Sequence, residues 1–297
     1  MVNVYVITGP TASGKTKVAI ELAKKLGGEI VSCDSMQIYK KMDIGSAKPT
    51  EDELNEVKHH LIGVIEPTEN FTVAKYQSMA LDAIDDIVSR GKIPIVAGGT
   101  GLYLNALLFD MDFAARPDNS KRRNELEAMT GETLYEYLKE IDMEATNRIH
   151  KNNTKKVIRA IEAAELGNKV KPLNDCKDRC GLYNFKLYAL NWDREKLYER
   201  INTRVDKLIE LGLVEEVRNL FKEGLNCENI SMKGIGYKEI IEHIEGGLTL
   251  EEAVYLIKRN TRRFAKRQIT WFKRYEDMTW IDVDEPMSAN DIVEKIL

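Results

Sequence analysis

The sequence predicts an α/β fold in which a parallel sheet is flanked by helices, and three observations carry that expectation. Val2 to Thr8, Glu29 to Ser32 and Ile93 to Ala97 are short, β-branched and without polar alternation, as strands buried on both faces of a parallel sheet are. Helical patterns separate these runs at βαβ spacing. A glycine-rich octapeptide joins the first strand to the first helix, where α/β proteins build anion sites.

Each element follows in order from periodicity and punctuation. Lys15 to Leu26 reads as an amphipathic helix stopped by Gly27-Gly28, and Val73 to Arg90 as another stopped by Gly91. After Asp110 the texture changes. Arg116 to Lys171 is charged, helix-like and without a strand candidate, and it ends near Pro172 and the polar stretch from Asp175 to Cys180. Phe185 to Asn191 returns to a buried-strand pattern that resumes the sheet, with Asp193 capping the next helix. Thr249 and Glu252 form a capping box opening a long helix through about Tyr275. Thr279 to Val283 is a last strand, and Ala289 to Ile296 a terminal helix. The chain therefore divides into a first core segment, 1–113, a helical insertion, 114–184, and a second core segment, 185–297, which carries a basic helix at 250–275.

Composition excludes several classes. At 297 residues and about 150 per domain, two domains are expected. Hydrophobic residues make up 43% of the chain, enough for a packed core, yet no apolar run approaches the ~18 residues of a membrane span. The first residues enter a strand with no basic flank or cleavage pattern, so no export signal and a cytoplasmic location are expected. Cys33, Cys176, Cys180 and Cys227 are too scattered for a disulfide framework or a zinc site and read as free thiols. A net charge of −4 argues against indiscriminate nucleic-acid binding and leaves room for a local basic surface.

The octapeptide Gly9-Pro10-Thr11-Ala12-Ser13-Gly14-Lys15-Thr16 is G-x-x-x-x-G-K-T. Its glycines let successive amides converge on an anion, Lys15 adds a point charge, the helix N-terminus adds a partial one, and the Thr16 hydroxyl can ligate Mg²⁺. The fold class is thus an α/β, P-loop NTPase-like parallel sheet flanked by helices, with an all-helical insertion domain. Backbone amides recognise phosphate oxygens and not what carries them, so the loop leaves ATP, GTP and other diphosphates open. Asp34, at the end of the second strand, faces the same sheet edge. It suits either a water-mediated hold on Mg²⁺ or proton abstraction from a nucleophile. The third strand ends in Gly98-Gly99-Thr100-Gly101, a further close-approach loop without the carboxylate that a hydrolysing nucleotidase carries there.

From Lys258 to Tyr275 eight residues are Lys or Arg and none is acidic, while Ile257, Phe264 and Trp271 recur at sevens and mark a buried stripe. Such a density of cations is relieved by a polyanion, and RNA or DNA backbone is the natural partner. Lys151, Lys155, Lys156 and Arg159 form a second basic cluster in the insertion. His59, His60, His150 and His243 lack metal spacing and read as structural. A small-molecule or nucleoside kinase would share the loop and the carboxylate but would not need the basic helix.

The octapeptide, Asp34-Ser35-Met36-Gln37-Ile38-Tyr39, Gly45-Ser46-Ala47-Lys48-Pro49, His59-His60-Leu61-Ile62, Gly98 to Tyr103, Arg159-Ala160-Ile161-Glu162, Gly234-Ile235-Gly236-Tyr237-Lys238-Glu239 and Ala265 to Phe272 occur in that order. Together they resemble the bacterial tRNA dimethylallyltransferases over nearly the whole chain. Departures from the family pattern are Ser46, Asn152-Asn153 and Lys155-Lys156. The resemblance implies transfer of a dimethylallyl group from dimethylallyl diphosphate to N6 of the adenosine just 3′ of the anticodon, in tRNAs reading codons that begin with U.

The resemblance also implies a set of roles. Gly9 through Thr16 hold the diphosphate with Mg²⁺ on Thr16, Thr11 borders the substrate channel, and Arg204 meets the diphosphate. Asp34 is the general base, which makes Asp34, Thr11, Lys15 and Arg204 the catalytic set. Asp34, Ser35, Met36 and Gln37 line an adenine flipped out of the anticodon stack. Thr100 and one of Arg122 or Arg123, with Arg123 preferred, touch tRNA, as do Arg159, Lys233, Gly236, Tyr237, Lys238, Arg263, Lys266 and Arg267. The implied partners are the tRNA anticodon stem-loop and dimethylallyl diphosphate, the cofactor is Mg²⁺, and the expected state is a monomer.

Overall fold

The structure, a computed structural model, describes residues 2–109, 111, 120–167 and 183–297. Residues 1–108 with 180–297 form one compact unit and 109–179 a second, so the breaks fall a few residues ahead of the expected boundaries at 113 and 184.

The first unit is built on six strands, β1 (Val2–Thr8), β2 (Glu29–Ser32), β3 (His59–His60), β4 (Pro94–Ala97), β5 (Tyr183–Trp192) and β6 (Thr279–Val283). They form one sheet in the order β3-β2-β4-β1-β5-β6 with every neighbouring pair parallel. β1 lies in the middle: Val6 faces Val96 on one side and Leu187 on the other. Its neighbours come from the first segment on one side and from the second segment on the other. The crevice beyond its carboxyl end is therefore the topological position at which such sheets bind ligands. β3 is absent from the sequence reading because two half-buried histidines give no apolar run to see.

Helices cover both faces, as the buried central strands β2, β4 and β1 require. The first segment supplies α1 (Lys15–Leu26), α2 (Glu51–Glu56), α3 (Val73–Ser89) and α4 (Gly101–Leu108). Ile7, Ile30, Ile95, Leu190 and Ile281 from the sheet pack with Val18 and Leu22 of α1 in one core. At the amino end of β2, the buried Glu29 accepts both guanidinium nitrogens of Arg90 at 2.5 and 2.6 Å, Lys92 at 2.7 Å and His60 Nε2 at 2.8 Å. This gives His60 the structural role expected of it. Arg90 above all holds the Glu29 carboxyl far below the usual carboxylate range. A depressed folded-state pKa means the network stabilises fully above the unfolded carboxyl's ~4.3 and loses its contribution as pH falls through and below that value. Arg90→Ala, which leaves the buried Glu29 carboxylate to Lys92 and His60, is expected to lower stability near neutral pH and to cost much less in strong acid. Urea titrations at both pH values check this.

The helical unit contains α5 (Ser120–Glu127), α6 (Gly131–Ile141), α7 (Met143–Thr146) and α8 (Thr154–Glu165). They close around Leu126, Leu134, Leu138, Val157 and Ile161, and no strand occurs among its described residues. Asn153, one of the departures from the family pattern, caps α8 by accepting from Lys156 N. Arg122 is fixed by Glu165 at 2.6 Å and Glu125 at 2.9 Å and stacks on Tyr137. Arg123 has the looser pairs, Glu127 at 3.2 Å and Glu162 at 3.9 Å. Arg159 is exposed on α8, beside the exposed Lys155 and Lys156.

The second core segment supplies α9 (Arg194–Glu210), α10 (Leu213–Lys222), α11 (Tyr237–Ile244), α12 (Leu250–Phe272) and α13 (Ala289–Ile296). Asp193 caps α9, and the Thr249–Glu252 box opens α12. The buried stripe of α12 differs from the expected one. Ile257 is buried, but Phe264 and Trp271 are half-buried, and Ala253, Ala265, Gln268 and Phe272 complete the inward face. Strict spacing of seven drifts ~20° per repeat on a straight helix, so the inward face moves to Ala265 and Gln268. The eight cations are not uniformly unpaired either. Lys258 bonds Asp206 at 2.6 Å and Arg262 donates to Asn202 Oδ1 at 2.6 Å, while Arg263, Lys266 and Arg267 lie exposed.

Candidate active site

The octapeptide forms the turn between β1 and α1 through three residues with positive φ: Gly9 at 137°, Ala12 at 64° and Gly14 at 94°. A side chain at Gly9 would come within 2.9 Å of the Leu190 carbonyl oxygen, so only glycine lets β5 lie this close to the loop. Three of the loop's carbonyls are engaged by side chains. Lys15 Nζ donates to Pro10 O at 2.8 Å, Arg200 Nε to Ala12 O at 3.1 Å, and Trp192 Nε1 to Ser13 O at 3.0 Å. The Arg200 guanidinium itself lies over the Trp192 ring at 4.1 Å. With the carbonyls engaged and no side-chain cap or acid in the first turn of α1, its leading amides are left to an external anion. The Ser13 hydroxyl is buried without a partner, and the half-buried Thr16 hydroxyl has none among the described residues.

Two cations and one carboxylate face this turn. Burial, then the like charge of Arg204, pushes the Lys15 ammonium down to about 7, with Asp34 acting in the opposite direction. Burial likewise lowers Arg204, which Asp34 partly offsets. Arg204 makes no hydrogen bond or ion pair among the described residues. This is an electrostatic arrangement completed by a polyanion. Binding one raises the Lys15 pKa, so Lys15 takes up a proton above about pH 7, and uptake fades below about pH 6 where Lys15 is already charged. Calorimetry of pyrophosphate binding in buffers of different ionisation heat is expected to show more proton uptake by the wild type than by Lys15→Arg, which is charged throughout. The difference isolates Lys15, because the anion's own ionisation is common to both.

Asp34 Oδ1 accepts from Met36 N at 2.8 Å and Gln37 N at 3.3 Å, so one oxygen makes the turn. The other has no hydrogen-bond donor among the described residues. Thr100 Oγ1 accepts from Ser35 N at 3.0 Å, tying the glycine loop after β4 to the loop after β2. Gln37 is held at both ends of its amide, by Ser32 Oγ at 3.2 Å and Ala47 O at 3.1 Å. Met36 packs against Gly234, where a Cβ would come 2.6 Å from its methyl. Asp34, Ser35, Met36, Gln37, Thr100, Lys15, Thr11 and Arg204 thus gather at the carboxyl edge of the sheet. Among the described residues no group of three His, Cys, Asp or Glu forms a metal site.

Other predicted residues separate. Lys233 and Lys238 are exposed, as are Arg263, Lys266 and Arg267. Gly236 and Tyr237 are buried, Tyr237 to 1% exposure, with its hydroxyl donating to Glu216 Oε1 at 2.8 Å. Glu216 also accepts from the amides of Asp43, Ile44 and Gly45 at 2.7 to 2.9 Å, which explains the Gly45 to Pro49 motif as a support for Gln37. Arg123 and Arg159 belong to the helical unit. Trp192, Arg200, Glu216 and Gln268 escaped the sequence reading. Only Gln268 carried a signal, as a polar residue at an inward position of α12.

A loop of this form at the centre of a parallel sheet, with a free helix N-terminus, two unneutralised cations and one carboxylate, defines a phosphate-loop α/β protein. The IPP transferase family model matches residues 37–275. The chain belongs to the IPP transferase family. It is 49% identical, over 100% of its length and 96% of the relative's, to a tRNA dimethylallyltransferase of Acetivibrio thermocellus. It is 50% identical to one of Alkaliphilus oremlandii, over 99% of this chain and 96% of that one. Its fold matches the crystal structure of the full-length tRNA isopentenylpyrophosphate transferase from Bacillus halodurans with a TM-score of 0.74 at 40% identity, covering 100% of this chain and 96% of that one. It also matches a eukaryotic dimethylallyltransferase acting on tRNA, with a TM-score of 0.82 at 29% identity, covering 96% of this chain and 75% of the other.

Proposed function

We propose that this protein transfers the dimethylallyl group of dimethylallyl diphosphate to N6 of the adenosine just 3′ of the anticodon, in tRNAs reading codons that begin with U. The observation that carries the reading is the convergence of Lys15 and Arg204 on one anion-accepting loop opposite Asp34. Full-length similarity to tRNA dimethylallyltransferases supports it and gives no support to a kinase. The protein is further read as a cytoplasmic monomer; among the described residues no helix is long and apolar enough to cross a membrane.

In this reading the allylic C–O bond breaks with cationic character at carbon, the N6–C bond forms, and pyrophosphate leaves. Lys15, Arg204 and the first amides of α1 meet the charge that grows on the departing oxygens, a transition-state interaction and hence a catalytic one. Asp34 accepts the proton that the exocyclic amine must shed, because a neutral aromatic amine becomes a strong acid as it is alkylated. The Oδ2 of Asp34 is left open for that proton while Oδ1 fixes the turn. The flipped adenine lies against Ser35, Met36 and Gln37. The Thr16 hydroxyl, which has no partner among the described residues, fits Mg²⁺, a cation that takes few protein ligands and completes its shell with phosphate oxygens and water. When bound, Mg²⁺ neutralises further charge on the leaving group.

Incubating the protein with unmodified tRNA, Mg²⁺ and labelled dimethylallyl diphosphate tests the reading, with N6-(dimethylallyl)adenosine expected on nucleoside analysis. Consumption of ATP with no label in tRNA overturns it. The exposed Arg263, Lys266 and Arg267 are assigned to RNA phosphate, so tRNA affinity is expected to fall by about 10-fold or more on raising salt from ~50 to ~200 mM. Alanine at all three sites reduces that slope, measurable by filter binding.

A further inference from the structure

We infer that Gln268 is a positioning residue for the reaction, holding the phosphate loop and the second glycine loop in the relative placement that diphosphate binding needs. The inference rests on the functional reading above. Gln268 stands on the inward face of α12 at 6% exposure, one residue from the exposed Arg267 and two from the exposed Lys266. Both halves of its amide are used: Oε1 accepts from Thr11 N at 2.8 Å and Nε2 donates to Gly99 O at 2.9 Å. A carboxamide is the neutral group that accepts and donates at once in this way.

The other ties on the loop, from Lys15, Arg200 and Trp192, all go to carbonyls. Gln268 is the side chain that takes an amide. Thr11 N is therefore turned away from the anion, and the donor set begins later, toward α1. The tie also depends on Gly99, since a Cβ there would collide with Gln268 Nε2 and push the amide out of its bond. Without the amide, Thr11 N–H and Gly99 C=O lose their partner in a crowded interior, and the loop has to move to recover one. A shift of that size at groups that position a reacting substrate lowers binding and rate without touching the chemistry.

Three proteins test this: wild type, Gln268→Met, which removes both bonds at similar size, and Gln268→Glu. For Gln268→Met the KM for dimethylallyl diphosphate is expected to rise and kcat to fall, each by about tenfold, while the KM for tRNA stays within about twofold. A protonated glutamic acid can accept from Thr11 N–H and donate to Gly99 O, whereas its anion can only accept. The diphosphate KM of Gln268→Glu, divided by that of wild type at each pH, is therefore expected to approach one as pH falls and to rise as pH rises. A wild-type KM in the Met variant overturns the assignment. So does a pH-independent ratio for the Glu variant, or equal changes in both substrate KM values, which mark a general loss of structure. Binding of inorganic pyrophosphate to the wild type is measured in parallel. Its absence overturns the functional reading itself, whereas a defect confined to the variants concerns Gln268 alone.

Discussion

Asp34→Asn is expected to lower turnover by about 10²-fold or more while tRNA affinity stays within about twofold. The choice of asparagine matters. Its carbonyl oxygen still accepts from Met36 N and Gln37 N, the bonds that Oδ1 makes in the native turn. The loop carrying Ser35, Met36 and Gln37 therefore keeps its shape, and the substitution removes only the group that can take a proton. Asp34→Ala would lose the turn as well and confound the two effects. Single-turnover measurement of nucleoside formation, with filter binding of tRNA, separates rate from affinity. An unchanged single-turnover rate removes Asp34 from the proton transfer.

Arg204→Gln is expected to reduce turnover by about 10²- to 10³-fold, the cost of deleting one donor aimed at charge that develops in a transition state. The native guanidinium has no hydrogen bond or ion pair among the described residues, and burial lowers its pKa. Only the Asp34 charge favours it in the resting protein and does not make up for its burial, which is the expected state of a group kept for a ligand. Arg204→Lys restores the charge without the planar fork and is expected to recover only part of the rate. A variant retaining wild-type turnover would assign the leaving-group charge to Lys15 and the loop amides alone.

Much of this was legible in the residues, for identifiable reasons. β1 and α1 are read to the residue because an apolar run, a glycine turn and a double-glycine stop bracket them. α13 is read equally well. β3 was illegible because an edge strand of His59 and His60 carries no hydrophobic pattern. On α12 a repeat of seven found Ile257 but not the rest of the inward face, since Ala265 and Gln268 face the core while the larger Phe264 and Trp271 lie at its margin. At the site, residues on the loops after β1, β2 and β4 could be placed because strand ends define one edge of a parallel sheet. The residues that brace those loops could not. Trp192, Arg200, Glu216 and Gln268 lie more than a hundred positions away from the atoms they hold, and tertiary hydrogen bonds of that separation leave no local periodicity. The bond from the Tyr237 hydroxyl to Glu216 was equally invisible, since nothing local to its motif points to a residue twenty-one positions away.

The braces on the phosphate loop also govern when it comes into being. β1 is central to the sheet, its full-length partner β5 begins only at Tyr183, and the bonds to the loop's carbonyls from Trp192 and Arg200 come later still. A growing polypeptide that has emerged from the ribosome only as far as the helical insertion already contains the entire octapeptide but none of these restraints. Contacts between distant stretches of chain form late because their loops must first be closed. During synthesis, then, the loop lacks the braces that the proposed diphosphate site relies on until residues 183–200 have followed it out of the ribosome.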